Sequence, residues 1–207
     1  MEKEKIQTIR NKIHLIEKYS NQKCNFNKMV NEKEVLKFEN KFDLKLPKDY
    51  RDFIIQVGNG GFMNLNFLNI NHYIHRVSKS DRISEKFPLK KALIDINENE
   101  DLEEHVNIGD YDFLRLQELN FDFDELYNGQ IILKNTGCGN YIFLVIKGAE
   151  YGNVWIWEYP SNGEILPYNG KKWSDRFKSF QRKSFSDWLI EELNQYLLDK
   201  NWLQQGV

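Results

Sequence analysis

Cysteine is scarce in this sequence, and long apolar runs are missing altogether. The two cysteines, Cys24 and Cys138, lie far apart, which excludes a disulfide framework and a four-thiolate zinc site. The longest apolar run, Tyr141-Ile-Phe-Leu-Val-Ile146, has the length of a strand, well short of the ~18 residues that would suggest a membrane span. The first residues, Met1-Glu-Lys-Glu-Lys-Ile6, contain no apolar stretch of the kind that heads a secreted chain. Internal repeats and low-complexity tracts are also missing. A reduced, cytoplasmic setting is therefore the expectation.

What is present is ample material for a core. The chain has 207 residues, 41% of them hydrophobic and 14% aromatic, with 14 Phe, 10 Tyr and 5 Trp. A single domain of that size can bury roughly 70% of its unfolded surface and needs no staple. The net charge of -2 conceals an asymmetry: residues 95–125 hold 12 acidic residues and a single basic one, Arg115, whereas residues 1–94 carry a net +8. A segment this acidic inside a folded chain is the most unusual feature of the composition.

The periodicity changes along the chain. Ile6, Ile9, Ile13 and Ile16 recur at three- and four-residue steps, one face of a helix. Asn31 and Glu34 form a capping box for a second helix, with Val35, Phe38 and Phe42 on its buried side. Pro47 opens a third, whose stripe is Tyr50, Phe53, Ile54 and Val57 and whose stop is Asn59-Gly60-Gly61. Residues 62–70 read as a hairpin or a pair of short strands, Phe87-Pro88-Leu89 as a connector, and Leu114–Leu119 as helical turns. Ile131–Leu133, Tyr141–Ile146 and Val154–Trp157 are strand-like runs parted by glycine turns, an antiparallel meander. Ser184 and Asp187 cap a last helix with Phe185, Trp188, Leu189, Leu193, Tyr196 and Leu197 buried. The sum is an α+β domain. Residues 1–30 are expected to form a helical extension to a domain spanning 31–207.

Reactive chemistry is sparse. His72 and His75 have the spacing of a helical metal pair, but on a strand they face opposite ways, and no Cys or Glu completes a site. Gly137-Cys138-Gly139 leads into a strand rather than a lysine-bearing helix, so it reads as a turn and not a phosphate loop. For Cys138 as a nucleophile, no activating base is evident. Asp110-Tyr-Asp112 and Asp122-Phe-Asp124-Glu125 alternate acid with aromatic. Three readings stay open for them. They could hold a hard cation, although the calcium-loop glycine and terminal Glu are missing. They could be a solvated face over a core of Tyr111, Phe113, Phe121 and Phe123. Or they could be a patch that steers a basic protein, in which case Asp110, Asp112, Asp122, Asp124 and Glu125 are the partner-binding residues. Such a field repels nucleic acid, and the lysines of the N-terminal part are too scattered for a nucleic-acid stripe.

Several motifs together resemble a known family. Phe38-Glu39, Leu44-Lys-Leu46-Pro47-Lys-Asp-Tyr50-Arg-Asp-Phe53 and Asn59-Gly60-Gly61, followed by Gly129–Leu133, Gly137–Gly139, Leu144-Val145, Gly148, Gly152–Trp155 and Phe185–Leu189, are similar in kind and order to the SUKH superfamily. The resemblance covers roughly residues 30–200. It departs in the extra N-terminal helix, the long acidic segment and the tail after Trp202. It implies a single mixed, largely antiparallel sheet flanked by helices, with no catalytic residues to carry over; from the residues themselves, no cofactor or metal is expected. The implied role is an immunity protein that binds and neutralises a bacterial toxin, commonly a nuclease; the acidic segment suits a basic one. The superfamily also holds fungal regulators of cell-wall synthesis, so a non-enzymatic regulator or scaffold is the alternative.

Overall fold

A computed structural model describes residues 2–21, 23–61, 70, 82–94, 113–115, 119–120, 122–169 and 181–201. Helices α1 (Glu2–Ser20), α2 (Glu32–Phe42) and α3 (Lys48–Gln56) precede strands β1 (Ala92–Ile94), β2 (Phe113–Arg115), β3 (Gln130–Gly137), β4 (Asn140–Val145), β5 (Val154–Trp157) and β6 (Glu164–Pro167); helix α4 (Phe185–Asp199) follows. Single 3-10 turns form at Arg82–Ser84 and Phe123–Tyr127, and one helical turn at Tyr159–Asn162. The strands make one sheet in the order β2-β1-β6-β5-β4-β3. Every neighbouring pair is antiparallel except β1 with β2, which is parallel. The fold is α+β, a mixed, largely antiparallel sheet with helices.

Local signals explain the helices. Asn31 accepts a hydrogen bond from the Glu34 amide at 3.0 Å, and Glu34 accepts one from the Asn31 amide at 2.8 Å, so the capping box is complete. Ser184 Oγ accepts from the Asp187 amide at 3.3 Å at the head of α4. Pro47 is the cap of α3 rather than its first residue. The turn between α2 and α3 depends on a buried charge. Glu39 accepts from the Leu46 amide at 2.9 Å, with Arg51 Nε at 3.5 Å and Lys45 Nζ at 3.6 Å. Gly60 and Gly61 have positive φ beyond the end of α3.

The sheet is buried on both faces, which is why β4 and β5 read as continuous apolar runs. Ile131, Leu133, Ile142, Leu144, Val154, Ile156 and Leu166 pack with α1, α2, α3 and α4 in the larger core. Ile6, Ile9 and Ile16 of α1 belong to that same core. The alternate residues Phe143, Val145, Trp155, Trp157, Ile165 and Leu93 face the other way, against Phe87, Leu89 and Leu126. Gly129 and Gly148 let the 82–89 strap lie this close. A Cβ at Gly129 would come within 2.7 Å of the Glu85 and Lys147 carbonyls, and one at Gly148 within 2.7 Å of the Phe87 carbonyl.

Two expectations need correction. Leu114 lies in β2, paired with Leu93, and not in a helical turn; a three-residue strand at a sheet edge is too short to set a period of two. Residues 123–125 are not extended either, because Phe123–Tyr127 winds into a 3-10 turn. Of the expected hairpin, residues 62–69 lie outside the described residues; Ile70 is fully buried.

Candidate functional site

The described part of the acidic segment is built on that 3-10 turn. Asp122 caps it, its Oδ1 accepting from the Asp124 amide at 3.0 Å and its carbonyl from the Glu125 amide at 2.8 Å. With three residues per turn, Phe123 and Leu126 fall on one side. Leu126 is fully buried and Phe123 half-buried against the second core. Asp122, Asp124, Glu125 and Tyr127 are left exposed. The acids thus face solvent while Phe123 anchors the turn. Asp110, Asp112, Tyr111 and Phe121 lie outside the described residues, as do His72 and His75.

Beneath the turn is an aromatic platform. Trp157 is 2% exposed. Tyr127 stacks on it, centroids 4.6 Å apart at 29°, and Tyr141 stacks on it at 5.4 Å and 11°. Phe123 meets the same indole edge-on at 6.0 Å, and Tyr159 lies 4.8 Å from Phe123. Tyr127 keeps 42% of its surface in solvent. A large ring held rigid by stacking and half open to water is the setting in which interface anchors occur.

Arg82 ties the turn to the strap. Its Nη2 donates to Asp124 Oδ2 at 2.6 Å, its Nη1 to the Asp124 carbonyl, and its guanidinium carbon lies over the Tyr127 ring, 5.9 Å from the centre. Sequence reasoning named Asp122, Asp124 and Glu125 as candidates and passed over Arg82 and Tyr127. Only the fold brings those two together.

Elsewhere, charges serve the scaffold. Glu150 accepts from Asn153 Nδ2 (3.0 Å), Trp155 Nε1 (3.3 Å) and Arg182 Nε (3.1 Å), fastening the segment before α4 to β5. Asp187 joins α4 to α1 through Lys5 Nζ at 2.7 Å. Burial would raise its carboxyl, but hydrogen bonds from Lys5 and Ser184 and the charges of Lys5 and Lys183 outweigh this and hold it below the ordinary carboxylate range. Cys138 is exposed in the two-residue turn from β3 to β4, with φ 52° between two positive-φ glycines, as expected of a hairpin. Burial, helped by the charge of Glu17, pushes the Cys24 thiol up to about 12. Among the described residues, no group of three or more His, Cys, Asp or Glu could hold a metal ion, and no helix is long and apolar enough to cross a membrane.

Compared with family models, residues 29–191 match the SMI1 / KNR4 family (SUKH-1). The match runs from just before α2 into the first half of α4 and leaves α1 outside it. No curated protein and no solved structure matches the chain.

Proposed function

This chain belongs to the SMI1 / KNR4 family (SUKH-1), and from that premise we propose that it is an immunity protein, without catalysis of its own, that binds and neutralises a cognate bacterial toxin in the cytoplasm. The toxin is a basic protein, a nuclease in this reading, because an enzyme that must attract phosphate has a basic cleft. The observation that carries the proposal is the exposure of Asp122, Asp124 and Glu125 on a turn anchored to the aromatic platform. Asp110 and Asp112 complete the proposed surface. Complementary charge raises the rate of encounter and disfavours neutral competitors. Cys138, His72 and His75 take no part.

The test is co-expression with the product of the neighbouring gene, followed by association kinetics for the purified pair. Reversing Asp122 and Glu125 to Lys is expected to slow association by about tenfold at low salt and to flatten its salt dependence. The thermal midpoint should fall only slightly, because the cap lost with Asp122 serves a single 3-10 turn. Unchanged rate and affinity in that double variant would reduce the acidic segment to a solvated face.

A further inference from the structure

We infer that the ring of Tyr127 is an arginine seat, filled in this structure by the chain's own Arg82, and that a basic partner docks by placing one of its arginines there. The inference rests on the acidic-surface reading and deepens it by naming the partner's anchoring group. Tyr127 is held in place by its stack on Trp157, which is in turn backed by Tyr141. The seat is thus preformed, and ordering it costs the complex little.

Arg82 displays the chemistry that fits. A carboxylate oxygen and a carbonyl oxygen of one residue, Asp124, accept from the two ends of its guanidinium while the guanidinium carbon lies over a ring. That pattern suits a planar fork and is wasted on the compact ammonium of lysine. Asp122 and Glu125 stand beside it, exposed.

Arg82 is also replaceable. Its side chain is 41% exposed and that of Asp124 64%. An exposed pair of this kind holds by a factor of about five at most. The strap does not depend on it, because the Arg82 carbonyl separately accepts from the Gly129 amide at 2.9 Å. An incoming arginine recovers the same contacts and gains the field of the neighbouring carboxylates, while Arg82 moves into water.

Titration with tetra-arginine and tetra-lysine peptides, followed by calorimetry, tests this. Tetra-arginine should bind the intact chain at least about fivefold more tightly than tetra-lysine. Arg82→Ala should strengthen tetra-arginine binding by about fivefold and leave tetra-lysine nearly unchanged. Tyr127→Leu should erase the preference; if that variant melts early, Arg82→Ala alone decides. Equal binding of the two peptides, or weaker tetra-arginine binding in Arg82→Ala, overturns the seat. The paired control is the Asp122→Lys/Glu125→Lys variant. If it weakens both peptides while no arginine preference exists, the acidic surface stands and the seat falls. If it changes neither peptide's binding, the acidic surface itself fails.

Discussion

Replacing Glu39 with alanine is expected to be among the most damaging single changes outside the apolar core. Its side chain is 2% exposed, and it carries three tasks at the α2–α3 turn: it accepts from the Leu46 amide, pairs with Arg51 and pairs with Lys45. These tasks differ in worth. Lys45 is 74% exposed, and Arg51 keeps Glu32 as a second partner. Neither cation is stranded, so the loss of charge alone should cost only about 1 kcal/mol. The Leu46 amide is different, because a buried donor left without an acceptor costs about 1–3 kcal/mol. The alanine variant should therefore lose about 2–4 kcal/mol in all. For a chain of this length that lowers the melting midpoint by roughly 5–10 °C. Glu39→Gln keeps an oxygen for Leu46 and should lose only about 1 kcal/mol. Urea unfolding of the two variants at neutral pH reads the difference directly. If glutamine proves as harmful as alanine, the charge and not the hydrogen bond holds the turn. If alanine costs less than about 0.5 kcal/mol, the turn does not depend on Glu39 at all.

Two further outcomes follow from the same geometry. Gly129→Ala places a methyl 2.7 Å from three backbone atoms at φ 60° and should cost about 3 kcal/mol or more, whereas Gly137→Ala, at φ 98° with nothing within 4 Å, should cost about 1 kcal/mol, measured by chemical denaturation. Asp187→Asn should lower stability modestly above about pH 5, by less than about 1 kcal/mol because the Lys5 pair is partly exposed. The folded-state carboxyl sits below its unfolded value. Its contribution is therefore full above the unfolded pKa and is lost as pH falls through the folded one. Melting curves of wild type and variant should converge in acid; a gap that persists there would refute the assignment.

The parts of the fold legible in the sequence are those with local causes. Asn31 with Glu34 and Ser184 with Asp187 mark helix starts because the bonds involved span three residues. β3, β4 and β5 are visible because glycine turns bracket apolar runs. The strands β1, β2 and β6 are three or four residues long, too short for a period to emerge. β6 also carries Glu164, fully buried, a residue that argues against a core strand when read alone. The acid–aromatic alternation at 122–125 was real, but its cause is a three-residue turn and not a strand. Arg82 and Tyr127 were invisible because nothing near either one in the chain marks it; their meeting depends on the strap crossing the sheet.

The buried residues that carry the resemblance to the family and the exposed residues proposed to meet the partner have different physical duties. Glu39, Asn59, Trp155 and Trp188 are all buried, and substituting them damages the fold whatever the chain binds. Asp122, Asp124 and Glu125 are exposed, and their turn is held by Phe123, Leu126 and the bond from Gly129 to the strap. Changing Asp124 or Glu125 costs the fold little, since substitutions on such a surface usually stay within about 0.5 kcal/mol, whereas Asp122 also caps the turn. Selection can therefore alter the charges to follow a changing partner while the anchor beneath them stays fixed. In the proposed reading, partner choice rests on that exposed rim.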